Sequence, residues 1–141
     1  MSRPRAGSEP RWVGRLVADT VQHDLINVHG GLPGLHDEGF IEAALARPKQ
    51  LWSYSASVDV ASLAAAYAYG IARNHPYNDG NKRIAFLAAA VFVELNGYCL
   101  EASEPEIVDV MLRLASGTIE EDALAEWLRD RLVPLGGSDS R

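Results

Sequence analysis

Apolar residues in the first part of the chain recur at helical spacing. Most of them lie three or four positions apart, at Leu16, Val17, Val21, Leu25 and Val28. Such spacing places side chains on one face of a helix, so the pattern predicts an amphipathic helix over about residues 14–29. A turn-rich loop over 30–37 and a short helix over 38–46 are expected to follow. Because proline disfavours a helical residue before it, that helix is predicted to end before Pro48. Residues 48–57 are expected to form a loop or a short hairpin.

The middle of the chain is the most apolar part. Residues 58–73 are rich in Ala, Tyr and Leu and predict a mostly buried helix. A second helix is predicted over 81–96, and between Ile84 and Val93 it is apolar on every side. Because a helix without a polar face must be surrounded by protein, we expect this one to be the central element of the fold. Asn96-Gly97 is a typical helix end.

Two capping-box patterns mark further helices. Ser103 is followed three residues later by Glu106, and Thr118 by Glu121. In this motif the first side chain bonds the third helical N–H, while the Glu side chain bonds back. The two helices are expected over 104–115 and 119–131. The chain is therefore predicted to be an all-α bundle of about six helices around a central buried helix.

Composition favours one packed domain. The chain has 141 residues, of which 48% are hydrophobic, which is enough for a sizeable core. Residues 1–10 and 136–141 are polar and rich in Gly, Pro and Ser. They are predicted to be mobile ends that flank a single domain over 11–135.

Net charge and the number of cysteines limit the kinds of protein that this chain can be. A net charge of −6 argues against a general nucleic-acid-binding protein, which would carry a basic face. Cys99 is the single cysteine, so no internal disulfide can form, and it is expected to be a small buried residue. No signal peptide is visible and the stretch Ile84–Val93 is too short to span a bilayer, so a cytoplasmic protein without a membrane partner is expected.

Residues 75–83, His-Pro-Tyr-Asn-Asp-Gly-Asn-Lys-Arg, concentrate the candidate chemistry immediately before the apolar helix. A helix N-terminus offers free backbone N–H groups and partial positive charge to an anion. Gly80 permits unusual dihedrals and close approach of the backbone. Asp79 can hold Mg²⁺ against phosphate oxygens. His75 can accept the proton of an incoming hydroxyl.

Three further residues complete this candidate phosphate site. Arg83 and Lys82 can bind phosphate oxygens, and Asn81 can donate its side-chain amide. Simpler interpretations also exist. Asp79 and Arg83 are four apart and can form a surface ion pair, and His75 with Asp79 has metal-pair spacing.

The segment resembles the Fic motif, HPFx(D/E)GNGRxxR, and more closely the Doc branch of the family, HxFxDANKR. Lys82 stands where the general motif has its second glycine, and Phe86 where it has its last arginine. Tyr77 replaces the usual Phe and keeps an aromatic anchor. Residues 29–34, 37–39 and 42–47 also resemble the first half of that family, and the resemblance covers about residues 13–133.

The resemblance implies a Fic/Doc-like bundle and a toxin of a toxin–antitoxin system. General Fic proteins transfer AMP from ATP to a protein hydroxyl, whereas the Doc branch transfers the γ-phosphate, with elongation factor Tu as target. Lys82 and Phe86 favour the Doc-like reaction. Implied cofactors are ATP and Mg²⁺. The implied catalytic residues are His75, Asp79 and Lys82, with Asp79 as the metal ligand, and the implied nucleotide-binding residues are Asp79, Gly80, Asn81, Lys82 and Arg83.

Regulation is predicted from a missing motif. Many Fic proteins inhibit themselves with a helix that carries (S/T)xxxE(G/N), and no such run is found here. The expected partner is therefore a small antitoxin whose disordered tail folds onto the domain as a helix. Two other functions remain open, namely a Fic-type AMP transferase and a non-catalytic binding module.

Overall fold

A computed structural model describes residues 9–55 and 57–136. Within these ranges the chain forms six helices and two short strands. In order they are α1 (Arg15–His29), α2 (Glu38–Tyr54), α3 (Val60–Asn74), α4 (Asn81–Leu95), β1 (Tyr98–Leu100), α5 (Glu104–Ser116), α6 (Glu121–Arg129) and β2 (Leu132–Pro134). The predicted all-α class is confirmed. Most of the two predicted mobile ends lies outside the described residues, but Pro10 is buried, so packing begins before residue 11.

Helix α3 occupies the centre of the bundle. Most of its side chains are buried, and it packs against α2, α4, α5 and α6. Asp59 caps its N-terminus by accepting a hydrogen bond from the N–H of Ser62 at 3.0 Å. The central buried helix is thus confirmed, although α3 rather than α4 fills this position. Helix α4 lies beside it, and every residue from Ile84 to Val93 is buried or half-buried.

Helix α2 is much longer than predicted. It runs to Tyr54 with Pro48 inside it, so the predicted end before Pro48 and the loop or hairpin over 48–57 are wrong. Pro48 removes one N–H donor, yet its ring is fully buried. Leu51 and Trp52 continue the apolar face of the helix against the core. Burial of this face outweighs the lost backbone hydrogen bond.

The two predicted capping boxes have different outcomes. Ser103 and Glu106 form both reciprocal hydrogen bonds, at 2.9 and 3.3 Å, so this box is confirmed. Thr118 does not cap α6, because that helix begins at Glu121 after Glu120. Its hydroxyl instead donates to the carbonyl of Arg113 at 3.3 Å, at the end of α5.

Strands β1 and β2 were not predicted. They pair antiparallel, with Cys99 opposite Val133, and tie the end of the domain to the residues after α4. Cys99 is half-buried rather than buried. No helix in the described part of the chain combines the length and apolarity needed to cross a membrane.

Candidate active site

The motif forms the connection between α3 and α4, and left-handed residues stand at both ends of it. His75 ends α3 with φ 50° and ψ 56°, and its N–H donates to the carbonyl of Ile71 at 3.1 Å. It is the one residue other than glycine with positive φ among the described residues. Gly80 precedes α4 with φ 86°. These two turns bring the exposed His75 side chain to the N-terminus of α4.

Two hydrogen bonds between Asn81 and Tyr77 stabilise this loop. The N–H of Tyr77 donates to Oδ1 of Asn81 at 2.9 Å, and Nδ2 of Asn81 donates to the carbonyl of Tyr77 at 2.8 Å. The Tyr77 ring is buried, and its hydroxyl donates to Asp19 at 2.7 Å. Burial raises the pKa of Tyr77 far above its usual value, and the bond to Asp19 adds to this. Asn81 therefore organises the loop and keeps one amide N–H for a ligand.

The loop between α1 and α2 lies along the motif and forms one wall of the site. The N–H of His36 donates to the carbonyl of Pro76 at 2.7 Å, and the N–H of Asn78 donates to the carbonyl of Gly34 at 3.0 Å. Leu35 also forms an antiparallel bridge with Tyr77. The sequence predicted this loop but not its pairing with the motif.

Asp79 is held by the same loop. Its Oδ2 accepts a hydrogen bond from the N–H of Leu32 at 2.6 Å. Gly31 has φ 118°, and a Cβ there would lie 3.3 Å from Oδ2 of Asp79, so a side chain at this position would be strained. Within the described ranges Asp79 forms no ion pair with Arg83, and no group of three or more His, Cys, Asp or Glu side chains could hold a metal. The alternatives of a surface ion pair and a zinc site therefore lack support.

Gln22 is a structural residue of the site that the sequence analysis missed. Its side chain is buried, and Nε2 lies 3.4 Å from the carbonyl oxygen of Leu32 and 3.5 Å from that of Asp79. Its Oε1 accepts from the N–H of Gly34 at 3.3 Å. One amide thus joins α1, the α1–α2 loop and the motif. A polar residue between Ala18 and Leu25 on the apolar face of α1 was the available signal.

The motif lines an open cleft of about 630 Å³. All six predicted site residues lie in it: His75, Asp79, Gly80, Asn81, Lys82 and Arg83. Other elements contribute residues that the sequence did not indicate, namely Leu25, Ile26, His29, Gly30, Gly31 and Ala115. The cleft is therefore built from α1, the motif, α4 and α5.

The N-terminus of α4, which lines this cleft, has the groups that bind an anion. The first helical hydrogen bond of α4 runs from the N–H of Ile84 to the carbonyl of Gly80, at 2.9 Å. The N–H groups of residues 80–83 donate no hydrogen bond to any described residue. Lys82 and Arg83 are exposed and form no ion pair with the described part of the chain. Free donors and unpaired cations at a helix N-terminus bind phosphate or another anion.

One solved structure with some likeness is the N-terminal Fic domain of a cell filamentation protein from Bartonella quintana, with bound ADP. The identity is 13% and the TM-score 0.42 over 72% of this chain. The chain spans about half, 51%, of that structure. At this level of likeness the family assignment depends on sequence matches.

Sequence matches are much stronger. The chain is 37% identical to "Protein kinase doc" of Escherichia phage P1 over 108 residues, which are 76% of this chain and 85% of that protein. It is 35% identical to "Toxin Doc" of Mycolicibacterium smegmatis, over 70% of this chain and 78% of that protein. The family model described as Fic/DOC family matches residues 15–93. The chain belongs to the Fic/Doc family.

Proposed function

We propose that the chain is a Doc-like toxin that transfers the γ-phosphate of ATP to a hydroxyl of a target protein. The observation that carries this proposal is a combination in one cleft. It holds the side chains of Asp79 and His75, four backbone N–H groups that bond no described residue, and Lys82 and Arg83, which form no ion pair with one. Phosphoryl transfer spreads negative charge over the equatorial oxygens, and catalysis is mainly positioning and stabilisation of that charge. The name of one relative, a protein kinase, supports the same reaction, and the name of the other supports a toxin.

Phosphate oxygens would be bound by the first turn of α4. The N–H groups of residues 80–83 point out of the helix end, where its dipole is positive. Arg83 offers a planar fork for two oxygens, and Lys82 adds a point charge one residue earlier. The remaining amide N–H of Asn81 adds one donor. These groups stabilise charge that grows on the transferred phosphoryl group.

His75 would act as the general base. Its ring lies on an exposed residue at the edge of the cleft, outside the helices and free of ion pairs with described residues. The target hydroxyl would give its proton to the ring as the oxygen–γ-phosphorus bond forms. The bond from the γ-phosphorus to the β-phosphate oxygen breaks, and ADP leaves. A neutral imidazole is suited to this role near neutral pH.

Asp79 fits a magnesium ligand. Its Oδ2 accepts the Leu32 N–H, while its other oxygen accepts no hydrogen bond from a described residue. One carboxylate together with phosphate oxygens and water is a normal environment for Mg²⁺. When bound there, the ion would supply positive charge to the phosphate oxygens. The protein's part is to hold the carboxylate still, through the loop that carries Leu32.

The target and partner are proposed from the similarity to Doc toxins. We propose a translation factor, with elongation factor Tu as the first candidate, and a small antitoxin whose disordered tail folds on binding. We propose a cytoplasmic location, because ATP and such a target are found in the cytoplasm. The second candidate reaction is AMP transfer, because the same cations and N–H groups could bind an α-phosphate.

Transfer of label distinguishes these functions. The protein is incubated with purified elongation factor Tu and with ATP that carries label on either the γ- or the α-phosphate. Label from the γ-phosphate alone on the target is the expected result. Label from the α-phosphate would establish AMP transfer instead. If neither label reaches this target, and neither reaches any protein when a cell lysate replaces it, the chain is a non-catalytic binding module.

A further inference from the structure

Arg73, in the last turn of α3, is an exposed arginine two residues before His75. Its guanidinium forms no ion pair and no hydrogen bond with a described residue. Lys82 and Arg83 likewise form no such ion pair, but they line the cleft, whereas Arg73 does not. The chain has 19 Asp and Glu against 13 Lys and Arg. A guanidinium that no described carboxylate neutralises in such a chain is available to a partner from outside.

The ring of Tyr69 holds Arg73 in place. Tyr69 lies four residues earlier on α3, which puts both side chains on one face of the helix. Cζ of Arg73 is 5.1 Å from the centroid of the half-buried Tyr69 ring, which is within the range of a cation–π contact. Arg47 of α2 lies over the same ring at 5.6 Å, but Arg47 is paired with Glu121. The contact therefore orients the Arg73 guanidinium without using its N–H donors.

The end of α5 places Arg73 at the rim of the cleft that contains His75. A Cβ at Gly117, the residue that ends α5, would lie 3.6 Å from Nη1 of Arg73. Ala115, two residues earlier, lines the cleft together with His75. A cation beside a helix C-terminus is favourable in itself, so a structural role is the simpler interpretation. Arg73 nevertheless donates no hydrogen bond to the carbonyls of α5.

The direction of phosphoryl transfer gives this rim a role. The attacking and leaving oxygens lie roughly in line with the γ-phosphorus. With the phosphates at the N-terminus of α4, the hydroxyl of the target would reach His75 from the side away from that terminus, where α3 ends. Lys82 and Arg83 would then contact the nucleotide, and Arg73 would contact the protein that brings the hydroxyl.

We propose that Arg73 is a specificity-determining residue, which pairs with a carboxylate of the target protein close to the acceptor hydroxyl. This inference rests on the proposed function and narrows its substrate class to hydroxyls beside an acidic side chain. The planar guanidinium can donate two parallel hydrogen bonds to one carboxylate. A pair of this kind fixes orientation as well as distance, so it would present the hydroxyl to His75 in one geometry. A basic segment of a protein would be repelled.

Steady-state kinetics of transfer test this pairing. The acceptor is purified elongation factor Tu, or the lysate protein that takes the label if that factor takes none, and the donor is γ-labelled ATP. Arg73→Gln keeps a polar side chain but removes the charge. We expect KM for the acceptor to rise about ten-fold, because a charged hydrogen-bonded pair is lost, while kcat and KM for ATP stay as in the wild type.

Charge and salt distinguish a carboxylate partner from other contacts. Arg73→Glu should raise KM further than Arg73→Gln because it adds repulsion, and Arg73→Lys should lie between Arg73→Gln and the wild type. Added NaCl screens an exposed ion pair, so it should raise the KM of the wild type more than that of Arg73→Gln. Arg11→Gln is the matched control. It removes the same charge from an exposed residue beside Asn96, at the opposite end of α4 from the motif, and should leave KM unchanged.

The outcomes distinguish a docking contact from a structural one. An unchanged KM in folded Arg73→Gln, or a lower melting temperature without a change in KM, would assign Arg73 to the end of α5 and overturn the inference. A wild-type KM that does not rise with salt, or an Arg73→Glu no weaker than Arg73→Gln, would exclude a carboxylate partner and also overturn it. In each of these cases label is still transferred, so the proposed function stands. If neither the elongation factor nor any lysate protein takes γ-phosphate label, the proposed function is overturned, and this inference with it.

Discussion

The carboxylate of Asp79 accepts a hydrogen bond from the backbone N–H of Leu32 at 2.6 Å, across 47 residues of sequence. The proposed metal ligand, which lies in the connection between α3 and α4, is thus held by the loop between α1 and α2. Oδ2 accepts this hydrogen bond, and the other oxygen of Asp79, which lines the cleft, accepts none from a described residue. Asp79 has a structural role and a proposed chemical role, and these can be separated.

Two substitutions of Asp79 make this separation. Asp79→Asn keeps an oxygen that can accept the Leu32 N–H but removes the charge, whereas Asp79→Ala removes both. We expect both variants to lose the Mg²⁺ dependence of ATP binding in calorimetry. Only Asp79→Ala should also destabilise the fold, by about 0.5–1.5 kcal/mol, because it removes a hydrogen bond between two exposed residues. Retention of the Mg²⁺ dependence in Asp79→Asn would restrict Asp79 to the structural role.

His75 requires a substitution that tolerates its backbone. Because φ is 50° at this position, Ala would add strain, whereas Asn adopts the left-handed region more readily. We expect His75→Asn to keep the melting temperature and ATP affinity of the wild type. Its transfer rate should fall by about 10²–10⁴, the usual contribution of a general base. A folded His75→Asn protein that transfers phosphate at the wild-type rate would exclude His75 as the base.

Gln22 is expected to act on the site through position alone. Gln22→Leu preserves approximate size but leaves the carbonyls of Leu32 and Asp79 and the N–H of Gly34 without this partner. We expect a loss of about 1–3 kcal/mol in the free energy of unfolding and weaker Mg·ATP binding, because the Asp79 loop loosens. Gln50→Leu makes the same chemical change at an exposed position of α2 and should affect neither. A stable Gln22→Leu protein with unchanged Mg·ATP affinity would contradict this role.

Local patterns predicted what local forces determine. The ends of α1, α4 and α5 follow from Gly30, from Gly80 and from the Ser103–Glu106 capping box, all within a turn of the helix concerned. The predicted helix end before Pro48 was wrong because burial of the face that carries Leu51 and Trp52 outweighs one missing hydrogen bond. The predicted cap at Thr118 was wrong because its hydroxyl donates to a carbonyl at the end of α5 instead.

Long-range contacts could not be predicted in this way. The strands β1 and β2 have three residues each and lie more than thirty residues apart, so no periodicity indicates their pairing. The motif was recognisable because its chemistry is contiguous in sequence. Its supports, Gln22 and the Leu32 N–H, come from elements far away in the chain, and only the folded structure brings them to Asp79.

Because of Asp59, the stability of the fold is expected to depend on pH in the acidic range. Burial alone raises the pKa of its carboxyl, but hydrogen bonds from Arg129 and from the Ser62 N–H outweigh this and lower the pKa from 3.8 to about 2. A lowered pKa stabilises the folded state above the unfolded value, and this contribution, about 2 kcal/mol, is lost as pH falls from about 4 to about 2.

Urea unfolding of the wild type and of Asp59→Asn tests this contribution. Asn can still cap α3 but carries no charge, so the variant should be less stable at pH 6, and the difference should shrink towards pH 2. Asp109→Asn, which removes a 65% exposed partner of Arg113, should show little difference at any pH. A constant difference for Asp59→Asn across this range would assign its effect to packing.

The last prediction concerns Lys82 and Phe86, the two positions where the chain departs from the general Fic motif. We expect Lys82→Gly combined with Phe86→Arg to shift the reaction from transfer of phosphate towards transfer of AMP. The glycine opens the backbone at the start of α4. The arginine follows Arg83 by three residues and, because Phe86 is half-buried in an open cleft, its charge can reach solvent and ligand.

The physical reason is that an apolar surface beside Arg83 becomes one that attracts phosphate. A cation at position 86 would attract the phosphate tail along α4 past Arg83, so the α-phosphate should lie nearer to His75. Circular dichroism must first show that the double variant is folded, and each single variant serves as a control. Mass spectrometry of the modified target then distinguishes an added phosphate from the heavier AMP group. A folded double variant that adds phosphate alone would mean that these two positions do not set the reaction, and that groups elsewhere in the cleft fix the orientation of the nucleotide.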